Sequence, residues 1–490
     1  MFTPLRLLRR YSLCVLLSAG VSAAAIPATA RLNFLFIQTD DMRFDAMGVV
    51  QREQGGRGRF PWFKTPNMDR LAAEGARFRN AFVTNSLCSP SRAVTLTGRY
   101  SHLNGIANNH TPFPLDSVTQ ATVLRGAGYK TGYIGKWHMG PQSGQRPGFD
   151  YSASFVGQGR YDNCPFEING VARPTTGWVD DVSTNFAIDF LRANRAGPFL
   201  LMIGFKTPHG PRTPPDRLKN AFTGESCRPA VNEKARPPYL AGPGSDSAAR
   251  AVEAGRPDPR LDYFRCIAGA DENLGRLLAA LEELGLAGNT VVVFTSDNGY
   301  YLGDHGLGDK RSAYEESLRV PLLVRDPTLG RKGMVVDEPV LNLDHAPTFI
   351  TYAGLTPPAA MQGLNWGRLL RRTPGAPVAG WRTSFFYEYF FERNFAVPTI
   401  FAVRTEAAKL VRYPDHPDWT EVFNLTADPY EMRNLAADPA EGTRRVQLEA
   451  EYDRQAKAVD FRVPDYADKP AAAGGAPKGK GKKKRAAAAP

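Results

Sequence analysis

Several polar side chains in this sequence stand just beyond short apolar runs. Asp40 and Asp41 follow NFLFIQ (33–38) and Lys136 and His138 follow 131–134. His209 follows FLLMIGF (199–205), and Asp297 and Asn298 follow TVVVFT (290–295). Three carboxylates and an amide oxygen are hard donors that suit calcium or magnesium better than zinc. Two lysines, if Lys310 joins Lys136, and two histidines could bind an anion and move protons. A divalent cation with lysines around a tetrahedral anion is the arrangement that phosphoryl or sulfuryl transfer needs. Each element alone has an ordinary use. Asp40-Asp41 could cap a helix or turn, Asp297-Asn298-Gly299 could be a turn, His209 could be structural, and Trp137 suits packing. Their joint occurrence at the ends of such runs argues for a site.

The apolar runs read as strands buried on both faces of a parallel sheet. Helical patterns lie between them: one from Thr65 and Pro66 toward Phe78, one over 184–194, and the longest over 261–284. Alternating strands and helices imply an α/β fold, a doubly wound, mostly parallel sheet flanked by helices. In such sheets ligands bind outside the carboxyl ends of the strands, which brings the polar residues above to one edge. Near residue 370 the character changes. The stretch 371–379 is rich in Pro, Gly and Arg and reads as a linker. Short strand-like pieces at 384–390, 399–404, 409–413 and 421–425 precede a helix near 444–458. They predict a smaller C-terminal antiparallel sheet subdomain with a helix. The expected boundaries are 31–370 for the main unit, 371–465 for the smaller one and 466–490 for a disordered basic tail.

Cys88 decides the reaction type. The segment Cys88-Ser89-Pro90-Ser91-Arg92 runs on through Ala93-Val94-Thr95-Leu96 to Thr97-Gly98-Arg99. It resembles the signature of the type I, formylglycine-dependent sulfatase family in the alkaline-phosphatase-like superfamily, and matches it fully. The alternative is a buried structural cysteine or half of a disulfide. The resemblance covers most of the chain, with Gly135-Lys136-Trp137-His138, Pro208-His209, Ser296-Asp297-Asn298-Gly299 and Gly303-Asp304-His305-Gly306 with Lys310 in family order. It implies that a formylglycine-generating enzyme oxidises Cys88 to Cα-formylglycine while the segment is unfolded. The hydrate's two hydroxyls would let one attack sulfur and the other later expel sulfate. Pro90 and its successors suggest a helix starting just after Cys88, whose N-terminus favours an anion.

By the same resemblance, Asp40, Asp41, residue 88, Asp297 and Asn298 would bind one calcium ion, magnesium being the alternative. Arg92 and Lys136 would hold the hydrate and the oxygens on the metal side. His138 would drive sulfate elimination, His209 would protonate the leaving alcohol, and Lys310 would grip the sulfate. His305 would tune the pocket or only pack. Pro147-Gly148-Phe149-Asp150 followed by Gly157-Gln158-Gly159 is similar to stretches in sulfatases acting on sulfated sugars, including N-acetylglucosamine-6-sulfatases. Sulfate-ester hydrolysis on a sulfated small molecule or glycan is therefore the expected activity. A phosphonate monoester hydrolase or phosphodiesterase shares the motif, and a non-catalytic binder of sulfated glycans would share the fold.

The rest of the composition sets limits. The chain has 490 residues and a formal net charge of +12. Nine of those cations sit in the ends, Arg6, Arg9 and Arg10 in a leader and six Lys and Arg in 478–485, so +12 less nine leaves about +3 for the body. The tail lacks aromatic residues for base stacking, so no specific nucleic-acid partner is expected. Residues 1–30 read as a signal peptide, with a short apolar run at 13–21 and small-residue cleavage sites, which predicts an exported, periplasmic or secreted protein. No stretch is long enough for a stable membrane span. Cys164, Cys227 and Cys266 could form one disulfide with one thiol spare.

Overall fold

The structure is a computed structural model that describes residues 31–240, 258–393 and 395–469. The expected leader and the Lys-rich stretch of the tail lie outside the described residues. The α/β expectation is met by a ten-stranded sheet whose centre is parallel. Its central strands run Thr290–Ser296, Asn33–Thr39, Phe199–Gly204, Lys130–Lys136 and Tyr151–Phe155 across the sheet, all parallel. The first three are buried along their whole length, as apolar runs without alternation require. Antiparallel strands flank this core, Leu322–Arg325 on one side and Phe166–Ile168 on the other.

Helices cover both faces. Leu261–Glu283, Val179–Ala193 and Pro66–Glu74 bury their apolar stripes on one face, and Gln120–Gly126 and His345–Tyr352 on the other. The Pro66–Glu74 helix ends four residues earlier than expected, and Ala76–Phe78 is a strand. The cause is Gly75: a Cβ there would lie 2.0 Å from the Val324 carbonyl oxygen, so the chain passes too close to the sheet to stay helical.

The second sheet is antiparallel, Ser384–Tyr389, Ile400–Thr405, Ala408–Arg412 and Glu421–Asn424 in order, with the Gly442–Ala458 helix against it. It shares a hydrophobic cluster with the main unit, in which Phe82, Leu87 and Val94 meet Phe385, Phe386 and Tyr387. His102 bridges the two units. Its Nδ1 lies 2.6 Å from Glu388 and its Nε2 lies 3.1 Å from the Val459 carbonyl oxygen. At the start of the stretch expected as a tail, the Tyr466 hydroxyl donates to the Ser101 carbonyl (2.6 Å) and Ala467 is buried. The possible disulfide does not form: Cys164, Cys227 and Cys266 are all buried free thiols.

Candidate active site

The central strands end level with one another. Thr39 pairs with Ser296, Gln38 with Gly204, and Gly135 also with Gly204. The residues that follow, Asp40 and Asp41, Asp297 and Asn298, and His209, therefore emerge at one edge together with Lys136 and His138. That edge lies where the chain crosses from one side of Asn33–Thr39 to the other, the crevice such sheets use for ligands.

Into this crevice points the Cys88–Thr97 helix, every residue of which is buried. It begins at Cys88 itself, not after it, because Leu87 is already extended and the Ser91 amide donates to the Leu87 carbonyl at 2.9 Å. Cys88 and Arg92 are one turn apart and face the same way. The Cys88 thiol donates to Asp40 Oδ1 at 3.4 Å. Arg92 donates from Nε to Asp297 Oδ2 at 2.9 Å and from Nη1 to the Lys136 carbonyl at 2.9 Å. Glycine is required beside it. A Cβ on Gly204 would lie 2.3 Å from the Lys136 carbonyl oxygen and 2.7 Å from Arg92 Nη1.

The remaining contacts tie the expected residues into one cluster. Lys136 Nζ donates to Asp40. Lys310 Nζ donates to both Asp41 oxygens, at 2.6 and 2.8 Å, and Asn298 Nδ2 to Asp41 Oδ1 at 2.7 Å. The Asp41 amide donates to Asp297 Oδ1 at 3.1 Å. His209 Nε2 lies 4.0 Å from the Asp41 carboxylate, while its Nδ1 lies 2.6 Å from the Gly210 carbonyl oxygen. The Ser89 hydroxyl donates to the His138 carbonyl, and His138 Nδ1 is buried with no hydrogen-bond partner. Asp41 and His138 both hold positive φ, 69° and 48°, a backbone cost that only a tightly determined site sustains.

Burial dominates the electrostatics and the paired charges correct it. Burial raises Asp40, but Lys136, with His209, Arg92 and Lys310, holds it well below the usual carboxylate range. Burial and the charge of Asp40 push Asp297 up to about 7, against Arg92 and Lys136. Burial and the nearby Lys136 keep the His138 ring neutral, and burial brings His209 down to about 4. Burial and Asp40 raise the Cys88 thiol, so an unmodified Cys88 stays protonated.

The donor set fits a hard divalent cation. Asp40, Asp41 and Asp297 each offer an oxygen, all within 4.8 Å of one another, and Asn298 Oδ1 is buried without a partner. Three carboxylates face Arg92, Lys136 and Lys310, so the cluster is near neutral, and a divalent ion turns it positive. Sequence reasoning left Gln158 and Lys206 without roles. Lys136 Nζ donates to Gln158 Oε1 (2.5 Å), and Lys206 Nζ donates to the Gln158 carbonyl (3.0 Å). Lys206 carried only its position after the Phe199–Gly204 strand, and Gln158 entered only within the stretch Gly157-Gln158-Gly159, without a role of its own. His305 packs elsewhere. Its ring stacks on Tyr314 at 3.9 Å, with Nε2 3.6 Å from Glu316.

Comparison with known proteins agrees with this geometry. The model of the family described as Sulfatase matches residues 32–355, and that described as N-sulphoglucosamine sulphohydrolase, C-terminal, matches 303–458. An N-acetylglucosamine-6-O-sulfatase of Bacteroides thetaiotaomicron is 32% identical over 474 residues, covering 83% of each chain. A multifunctional alkaline phosphatase superfamily protein of Trinickia caryophylli is 28% identical, over 84% of this chain and 92% of that one. A solved structure in complex with its substrate D-glucosamine-2-N,6-O-disulfate superposes with a TM-score of 0.78 at 29% identity, over 89% of this chain and 99% of that one.

Proposed function

The chain belongs to the sulfatase family, and we propose that it removes sulfate from a sulfated carbohydrate, with Cys88 converted to formylglycine and calcium held by Asp40, Asp41, Asp297 and Asn298. It is a sulfuric ester hydrolase. The observation that carries the finer reading is the meeting of Cys88, in an intact signature, with a buried oxygen-donor cluster 3.4 Å away at Asp40. A bound divalent cation would polarise the ester's oxygens, and an aldehyde hydrate would offer a hydroxyl where the protonated thiol offers none.

The side chains divide the remaining work. Lys310 and Lys136 hold the sulfate oxygens, Lys136 being aimed by Gln158. Arg92 fixes Asp297 and the turn of chain at Lys136. His138, neutral and with a ring nitrogen free, accepts a proton from residue 88. His209 donates from Nδ1 to the Gly210 carbonyl and presents Nε2 to the cleft, where it delivers a proton to the leaving alcohol. The ester's negative charge raises His209 from its low value and makes that step possible.

We further propose that a formylglycine-generating enzyme matures the chain and that it is exported. Among the described residues no helix is long and apolar enough to cross a membrane. The test is a peptide mass across 86–92 in protein from its own host, with paired assays on 6-sulfated N-acetylglucosamine and an aryl phosphodiester. The expected result is a side chain at residue 88 that has exchanged its sulfur and two hydrogens for one oxygen, with the sulfate ester turned over faster. An unmodified cysteine in active enzyme refutes the nucleophile, and a faster phosphodiester reaction refutes the substrate class.

A further inference from the structure

A second cavity, of about 530 Å3, is lined by none of the ten residues assigned above. It lies between the Gly55–Arg57 turn, the stretch 228–231 and the C-terminal sheet around Arg404 and Leu425. Its walls carry many charges, and most of them are already paired. Asp45 and Asp304 are held by Arg43 and Arg59. Glu315 is held by Arg404 and Lys409. Glu316 accepts from Asn232 and faces His305.

Apart from the exposed Glu406 at the rim, Arg319 is left over. Its Nε donates to the Arg79 carbonyl at 2.5 Å, and its guanidinium lies over the Phe44 ring at 4.4 Å. Its two terminal nitrogens have no hydrogen-bond partner and no carboxylate within ion-pair distance among the described residues. Burial, with the charges of Arg404 and Arg77, outweighs Glu315 and Asp45 and lowers Arg319 to about 10. Among the described residues Arg57, exposed at the mouth, has no ion pair either, and the Arg228 side chain donates to the carbonyls of Gly56 and Gly58. A planar guanidinium stacked on an aromatic ring, with its outer edge open, is shaped for two parallel hydrogen bonds to an oxyanion. Left empty, that edge is a half-buried charge that burial disfavours and that no described carboxylate holds in an ion pair.

We propose that this cavity is a second anion site, which takes one sulfate-class oxyanion on the free edge of Arg319 with Arg57 at its entrance. Two sources share that chemistry: inorganic sulfate, and a sulfate group borne elsewhere on a carbohydrate substrate. The second source rests on the carbohydrate reading above.

The test is calorimetric titration of the mature enzyme with sodium sulfate in a chloride background of matched ionic strength. Wild type should show two sulfate sites and Arg319→Gln one. The variant should keep its rate on a monosulfated aryl ester and its competitive inhibition by sulfate, both of which report the catalytic cleft. Arg57→Gln, a surface change that cannot unfold the chain, should weaken the second site at least threefold. A disulfated oligosaccharide separates the sources. A KM raised several-fold in Arg319→Gln assigns the site to the substrate, and an unchanged KM with the heat lost assigns it to the free ion. The titration needs no turnover, so it stands if the carbohydrate reading fails. An isotherm identical to wild type in both variants overturns the proposal.

Discussion

His102 makes the C-terminal sheet's attachment sensitive to pH. The ring is fully enclosed, and both nitrogens face acceptors, the Glu388 carboxylate at 2.6 Å and the Val459 carbonyl at 3.1 Å. Only the doubly protonated ring satisfies both. Burial lowers His102, but the bond and charge of Glu388, with Val459 and Asp460, leave it above the ordinary histidine value. A group raised in the folded state gives stability that is complete below its unfolded pKa of about 6.5 and is lost as pH climbs through the folded value. The loss is one charge-assisted hydrogen bond in an enclosed site, about 1.5–3 kcal/mol. Urea unfolding of wild type and His102→Gln from pH 5.5 to 9.5 measures it. Wild type should be the more stable at the acid end, and the gap should shrink by about that amount as pH rises. A gap that is constant, or that widens with pH, refutes a charged His102.

Three further outcomes follow from the cleft. Gly204→Ala forces a Cβ to within 2.3 Å of the Lys136 carbonyl and 2.7 Å of Arg92, so overpacking of about 1–3 kcal/mol should appear in urea unfolding. The displaced Arg92 should cost on the order of 10²-fold in kcat on an aryl sulfate. Chelation should lower thermal stability, by about 2.7 kcal/mol if calcium stood at a hundred times its Kd, and Asp297→Asn should abolish that response. Cys88→Ser should fold with unchanged stability, carry an unmodified peptide mass and hydrolyse sulfate esters at background rate in protein from its own host.

Most of the cleft could be read from the chain because strand ends announce themselves. An apolar run buried on both faces must stop where polar residues begin, and in a parallel sheet those stops share an edge; hence Asp40, Asp297 and His209 were legible. Gln158 and Lys206 were not, because a loop residue between glycines has no periodic signature and a lysine after a strand has many uses. The early end of the Pro66–Glu74 helix was hidden because Ala76 and Phe78 continue its apolar rhythm, while the deciding contact, Gly75 against Val324, belongs to a strand nearly 250 residues later. The docking of Tyr466 onto Ser101 escaped notice for the same reason.

The complete enclosure of the Cys88–Thr97 helix fixes an order of events in the life of the protein. Residue 88 is buried in the folded chain, so an enzyme that had to grip this segment would act before the sheet and the C-terminal unit close around it. Under the maturation proposed above, its conversion would fall in the interval between synthesis and closure, as a race that is run once. On that reading, a molecule that folds first would keep its thiol, and supplying more of the maturing enzyme to the folded protein would not convert it.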